Sequence, residues 1–342
     1  MLRFFIYFFC LERDMDEIQI TKDLLKINSV SGNEREIGEY IVKLLNPYFK
    51  IKKQKIGNAF NIFAYVGKPK LVLNTHIDTV QPFLEVKEDE KYLYGRGACD
   101  TKGLMASMLC AVIDAVNKGI NDFGILFTVR EETDFAGVKK AINLVKPEII
   151  IVGEPTNFDF VVGQKGIISA KIIARGKAAH SATPEKGKSA IDKLLVALGK
   201  IQKLTLPTSP QLGPTTLNIG QISGGTASNI VSDYAKAVIS FRLACDSKII
   251  LGKLGKVCKG LELKIINCYE YKITDPSFLC DFKNKKIVLP YFTELGFWDC
   301  RGFIFGPGKA KYAHSKLEKI RKADIIKGRK EYLELISRAC KA

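Results

Sequence analysis

Histidine is scarce in this chain, three in 342 residues, so any chemistry that needs imidazole has only His76, His180 and His314 to draw on. Close cysteine pairs are absent: the nine cysteines stand singly and in odd number, a pattern of reduced core thiols rather than a disulfide framework or a thiolate-ligated structural zinc. Low-complexity tracts and solenoid-length repeats are missing too, which removes disorder and repeat arrays from consideration. No apolar run has the length of a membrane helix. The opening Leu2 to Leu11 is apolar but stops after about ten residues, half of the ~20 that a bilayer span requires. Glu12, Arg13 and Asp14 follow it with no small-residue cleavage site, so it reads as a leader ahead of a true start near Met15. The expectation is a cytoplasmic protein with no membrane partner.

What is present suits a folded protein of two domains, at the usual ~100 to 200 residues each. Hydrophobic residues make up 46% and charged residues 26% of the chain, which is ordinary for a globular protein. The net charge of +17 is not ordinary. Its densest stretch, Lys309 to Lys330, fits either a nucleic-acid patch or a solvated helix face. No aromatic platform or known nucleic-acid module is apparent in the sequence beside it, so the solvated face is preferred and no nucleic-acid partner is expected. The excess charge would still steer anionic substrates toward the protein.

From Glu17 to Phe160 amphipathic helices alternate with short apolar runs, the pattern of an α/β sheet. Four runs read as buried strands: Asn61 to Tyr65, Leu71 to Asn74, Phe123 to Val129 and Glu148 to Val152. Thr101 to Lys118 reads as an amphipathic helix stopped by Gly119. Beyond Gly163 the order becomes strand (Ile167 to Arg175), helix (Ser189 to Leu204), strand (Thr216 to Ile222), strand (Tyr234 to Leu243), helix (Lys248 to Cys258), strand (Leu261 to Ile266). That βαββαβ order is ferredoxin-like. After Pro276 the first pattern resumes, with Gly302 to Phe305 as a strand and Arg329 to Cys340 as a closing helix. The expected architecture is therefore an α/β, mixed-sheet catalytic domain of phosphorylase/hydrolase-like type, discontinuous over 16–162 and 272–342. An α+β ferredoxin-like lid, 163–271, is inserted into it.

The acidic and imidazole side chains fall at telling places. His76 and Asp78 follow the second strand, Glu131 and Glu132 the third, and Glu154 the fourth; Asp100 stands at the start of the helix, and His314 follows Gly302 to Phe305 and the loop Gly306-Pro307-Gly308. The carboxyl edge of an open α/β sheet is where ligands gather. So many carboxylates in one crevice would repel one another unless cations were there. A mixed oxygen and imidazole set suits zinc, cobalt or manganese better than magnesium. Adjacent Glu131 and Glu132 can then divide two roles, one ligating and one holding the proton of an activated water.

Taken singly, each residue has a plainer explanation. A lone His is more often a hydrogen-bonded core residue, an adjacent Glu pair a solvated helix start, and an Asp before a helix an N-cap. Five strand or helix ends acquiring acid or His together is harder to attribute to chance, and two of the three histidines belong to the set.

Four segments carry a resemblance: Asn74-Thr75-His76-Ile77-Asp78-Thr79-Val80, Tyr94-Gly95-Arg96-Gly97-Ala98-Cys99-Asp100-Thr101-Lys102-Gly103, Glu131-Glu132-Thr133 and Gly153-Glu154-Pro155-Thr156. Together they resemble the zinc-dependent aminoacylase and carboxypeptidase superfamily that includes acetylornithine deacetylase and succinyl-diaminopimelate desuccinylase, over about Ile18 to Leu335. The resemblance implies two divalent metal ions, zinc or else cobalt. His76, Asp100 and Glu154 would surround one, and Asp100, Glu132 and His314 the other. It further implies Glu131 as general base, Asp78 orienting His76, His180 as a donor to the oxyanion from the lid, and Asn229 and Arg242 as contacts to the substrate carboxylate. A homodimer through the lid is implied as well. Relatives carry Gly-Thr-Ser/Thr-Asp where this chain has Gly296-Phe297-Trp298-Asp299.

The function expected is removal of an N-acyl group from a small amino acid, N-acetylornithine first, as in arginine biosynthesis. A desuccinylase or a dipeptide-cleaving metallocarboxypeptidase is the alternative, because the same metal site serves all of them. A non-catalytic basic binding module is the alternative of another class.

Overall fold

The computed structural model describes residues 15–340; the apolar leader at Leu2 to Leu11 lies outside the described residues. These form two compact units, one comprising residues up to Val161 with Asp275–Lys286 and Phe297 onward, the other Val162–Thr274 with Ile287–Gly296.

The first unit opens with helices α1 (Glu17–Lys26) and α2 (Arg35–Leu45). The Asp16 side chain starts α1 by accepting the N–H groups of Ile18 and Gln19, which leaves fewer amides unsatisfied at the helix end. Strands β1 (Lys50–Ile56), β2 (Ala59–Tyr65) and β3 (Leu71–His76) follow, then α3 (Gly103–Asn117), β4 (Phe123–Thr128), the short α4 (Ala136–Ala141) and β5 (Ile149–Gly153). In the second unit come β6 (Gly166–Arg175), α5 (Ala190–Gln202), β7 (Thr216–Gly224), β8 (Tyr234–Leu243), α6 (Ser247–Val257) and β9 (Glu262–Tyr269). The chain then returns to the first unit for β10 (Arg301–Phe305) and α7 (Lys322–Ala339).

Within the first unit the strands run β1-β2-β4-β3-β5-β10. β4, β3, β5 and β10 are mutually parallel, whereas β1 and β2 are antiparallel to their neighbours. The register brings the carboxyl ends of the parallel strands level: His76 pairs with Thr128, Asn74 with Val152, and Gly153 with Phe305. β3 and β4 are buried at every position, as a strand covered on both faces must be, so they read in the sequence as continuous apolar runs. β1 was not apparent in the sequence. Its Lys-rich pattern, KIKKQKI, is that of a sheet edge, where charge discourages pairing with other chains.

α7 begins at Lys322 rather than Arg329, because one face of its basic first half is buried. Ile325 and Gly328 are buried in that first half, in line with Tyr332, Leu335 and Ile336 of the second, and the Ser107 hydroxyl of α3 donates to the Ile325 carbonyl at 2.8 Å. The last part of the basic stretch, from Lys322 to Lys330, is thus a half-buried helix.

The second unit has the strand order β7-β8-β6-β9, antiparallel throughout. In β8 burial alternates with a period of two, and its inward residues Ala237, Ile239 and Phe241 pack with Leu194 and Leu198 of α5 and Ile250 and Leu254 of α6. Two helices on one face of a four-stranded sheet are what the βαββαβ order predicted. No helix among the described residues is long and apolar enough to cross a membrane.

Phe241 is fully buried in that core. Phe241→Ala is expected to destabilise the second unit by about 3–5 kcal/mol, read as an earlier urea transition by circular dichroism. An unchanged midpoint would place Phe241 outside a close-packed core.

Candidate metal centre

The turns that leave β3, β4, β5 and β10 bring the acidic and imidazole groups together in the first unit. His76 is the last residue of β3. Its Nδ1 lies 3.0 Å from the main-chain carbonyl of Asp78, and its Nε2 lies 3.1 Å from Asp100 Oδ1. The other Asp100 oxygen lies 3.3 Å from His314 Nε2, which is also 2.9 Å from Glu132 Oε1. One carboxylate therefore faces two imidazoles. The potential ligand atoms of His76, Asp100 and Glu154 lie within 4.8 Å of one another, and so do those of Asp100, Glu132 and His314. A third such group is His76, Glu131 and Glu132.

Local chain geometry accounts for these placements. Asp100 sits in the turn Ala98–Lys102 with φ −125° and ψ 87°, outside helical values. Gly103 then starts α3 where any Cβ would come within 2.5 Å of the Ala98 carbonyl oxygen. The Thr101 hydroxyl donates to the His76 carbonyl at 2.8 Å, which ties this turn to the end of β3. Lys102, 1% exposed, donates from Nζ to the Ile27 carbonyl at 2.7 Å, and burial lowers its pKa to about 7. The loops after β5 and β10 are laced together. Gly306 N–H donates to Thr156 Oγ1 at 3.1 Å, Phe158 N–H to the Gly306 carbonyl at 3.0 Å and Asn157 N–H to the Gly308 carbonyl at 2.6 Å.

Asp78 does more than face His76. Its carboxylate stands 3.5 Å from the ring nitrogen, while its two oxygens accept the N–H of Glu131 at 3.0 Å, the N–H of Glu132 at 3.1 Å and the Ser31 hydroxyl at 2.6 Å. The carbonyl of Asp78 thus meets His76 while its side chain fixes the turn that presents both glutamates. Ser31 carried no signal beyond its polar, glycine-containing turn. Arg96, which lies in one of the four motif segments, forms a buried ion pair behind Asp100 with Glu318.

Electrostatics follow from crowding. Burial opposes charge on Asp100, yet hydrogen bonds from His314 and His76 hold its pKa well below the carboxylate range. Burial opposes protonation of His76 as well, but Asp100, Asp78 and Glu131 outweigh it and raise its pKa well above the usual value. Burial, and then the Asp100 charge, raise Glu132 against the pull of His314. Hydrogen bonds to Asp100 and Glu132 raise His314 to about 10. Without a cation, protons supply the positive charge these carboxylates demand. A divalent ion supplies the same charge without them, and the two oxygen-and-imidazole groups sharing Asp100 fit a pair of such ions of the zinc class.

The remaining sequence candidates lie in the second unit. His180 is exposed and accepts the Ala182 N–H through Nδ1 at 3.0 Å. Asn229 is also exposed, and its carbonyl accepts the Ser181 N–H at 2.9 Å, so it neighbours His180. Arg242 is half-buried on β8 opposite Ile167 and Thr216, with its pKa lowered by burial. In the unusual 296–299 segment, Phe297 meets Phe135 with ring centroids 5.3 Å apart, and buried Trp298 donates from Nε1 to Asn74 Oδ1 at 3.2 Å.

Because His314 holds a proton up to about pH 10 in the cation-free protein, a cation must displace it, so binding releases protons and strengthens as pH rises. Calorimetric titration with zinc in buffers of different ionisation enthalpy is expected to show proton release at pH 7. A heat independent of the buffer would contradict this.

Residues 162–251 match the model of the peptidase dimerisation domain of the M20 family. Over 340 residues the chain is 33% identical to a peptidase M20 domain-containing protein of Schizosaccharomyces pombe, covering 93% of this chain and 84% of that one. It is 32% identical to a probable carboxypeptidase of Aspergillus clavatus over 362 residues, covering 93% and 87% respectively. In fold it is similar to an M20 family metallo-carboxypeptidase of Sulfolobus solfataricus, with a TM-score of 0.80, 18% identity, and coverage of 96% of this chain and 100% of that one. With these likenesses beside a clustered imidazole and carboxylate site, the chain belongs to the M20 peptidase family and is a metal-dependent hydrolase of amide bonds.

Proposed function

We propose that this enzyme is a two-metal carboxypeptidase or dipeptidase, cleaving the amide bond next to a free carboxylate on a small substrate. The observation that carries the reading is the sharing of Asp100 between two ligand groups, with Glu131 beside one of them. The names of the Aspergillus and Sulfolobus relatives favour a peptide substrate. N-acetylornithine, where the sequence motifs point, is the second reading. It uses the same bond chemistry and differs only in the pocket.

In this reading His76, Asp100 and Glu154 would hold one divalent ion and Asp100, Glu132 and His314 the other, zinc in both places or else cobalt. When bound, such ions polarise the scissile carbonyl and acidify water at neutral pH. Glu131 takes the proton of the attacking water and delivers it to the leaving amine. Asp78 keeps Glu131 aimed by holding its N–H at 3.0 Å. In the homodimer, His180 would donate a hydrogen bond to the developing oxyanion in the neighbouring copy's site. Arg242 and Asn229 receive the substrate carboxylate, for which a guanidinium is well shaped.

The first unit is the catalytic domain in this proposal, and the second is the lid through which a homodimer forms, as the name of its family model suggests. No disulfide joins two of the described cysteines, which suits work in the reducing cytoplasm.

Glu131→Gln is expected to lower kcat by ~10²- to 10⁴-fold with bound metal unchanged by elemental analysis; retained turnover would remove Glu131 as the base. Initial rates on dipeptides, N-acetylornithine and succinyl-diaminopimelate, with zinc or cobalt added, choose among substrates. Peptide cleavage should dominate, and a preference for N-acetylornithine would replace the first reading with the second.

A further inference from the structure

Resting on the two-cation reading, we infer that the buried Arg96–Glu318 pair is a positioning device. It braces Asp100, which both halves share, together with the His314 loop, and so acts more on the half that uses Asp100, Glu132 and His314 than on the half that uses His76, Asp100 and Glu154.

The two halves are mounted differently. His76 ends β3 and Glu154 directly follows β5, two neighbouring parallel strands whose positions the sheet fixes. Asp100 lies in an irregular turn and His314 in a loop where its φ is +58°. An imidazole with a left-handed backbone needs support from elsewhere, and Asp100, in a turn that is not regular helix, is not fixed by the sheet.

One pair supplies it to both. Arg96 is 3% and Glu318 1% exposed, and Arg96 Nη1 meets Glu318 Oε2 at 2.6 Å. Toward Asp100, Glu318 Oε1 accepts the main-chain N–H of Asp100 at 3.0 Å and of Cys99 at 3.1 Å. Toward His314, Arg96 Nη1 donates to the carbonyl of the adjoining Ser315 at 3.3 Å, while Glu318 itself lies four residues beyond the histidine. Arg96 Nε is anchored on the Pro82 carbonyl at 3.1 Å. Stability alone does not account for such a pair, since well-packed apolar residues in place of a buried ion pair are often as stable or more so. Its distinguishing output is the relative placement of Asp100 and His314.

The test is calorimetric titration of the metal-free enzyme with cobalt(II), with thermal midpoints measured alongside. The parent should bind two ions, and His314→Ala identifies the step belonging to the braced half. Glu318→Gln keeps an oxygen for the two N–H groups but leaves Arg96 without a counter-charge. The double variant Arg96→Met, Glu318→Met removes both charges, so it can fold even where the single variant does not. In both, the step identified by His314→Ala is expected to weaken by about 10- to 100-fold, and the other step, which has only Asp100 among the braced residues, is expected to weaken less. A double variant that binds both ions as the parent does would show the pair to be structural only. Equal weakening of both steps would also overturn the selective role. A parent that binds fewer than two ions defeats the two-cation reading itself and this inference with it.

Discussion

Three carboxylates crowded around two imidazoles impose the constraint on which the first unit depends. Asp100 presents one oxygen to His76 and the other to His314, with Glu132 and Glu154 close by. In a partly buried setting such negative charge persists only beside positive charge. The raised pKa values of His76 and His314 express that demand when protons are the only cations to hand. In a two-metal hydrolase the same demand becomes affinity for divalent ions.

The surrounding scaffold can be understood as the means of holding that charge together. Parallel strands with level carboxyl ends deliver His76, Glu131, Glu132 and Glu154 to one edge. Asp78 spends its carboxylate on the N–H groups of Glu131 and Glu132 and its carbonyl on His76, so one residue registers two strand ends against each other. Hydrogen bonds between the loops after β5 and β10 and the Arg96–Glu318 pair steady the parts that the sheet does not reach.

Choice of substrate rests on other residues. The cluster of imidazole and carboxylate groups suits hydrolysis of an amide bond in a peptide or in an N-acyl amino acid alike, so it does not discriminate between the two. Around it, this chain has Phe297 against Phe135, which closes the turn bearing Glu131 and Glu132, and Trp298 bonded to Asn74 of β3. Aromatic packing thus borders the turn that presents the two glutamates.

The sequence by itself determined the elements whose signal is local. Buried parallel strands read as apolar runs, the βαββαβ order announced the ferredoxin-like unit, and acidic or imidazole residues just past strand ends marked the site. Other features escaped because their cause is distant in the chain. β1 is lysine-rich, and only its pairing with β2 makes it a strand. α7 starts early because α3 covers a face that looks solvated when read alone. Only the tertiary structure decided that Asp78 meets His76 through its carbonyl and the glutamates through its carboxylate. It alone brought Arg96 and Glu318, 222 positions apart, into one buried pair behind Asp100. Periodicity and spacing record what a residue does within its own segment, whereas the partner of a buried charge is fixed by which segments the fold brings into contact.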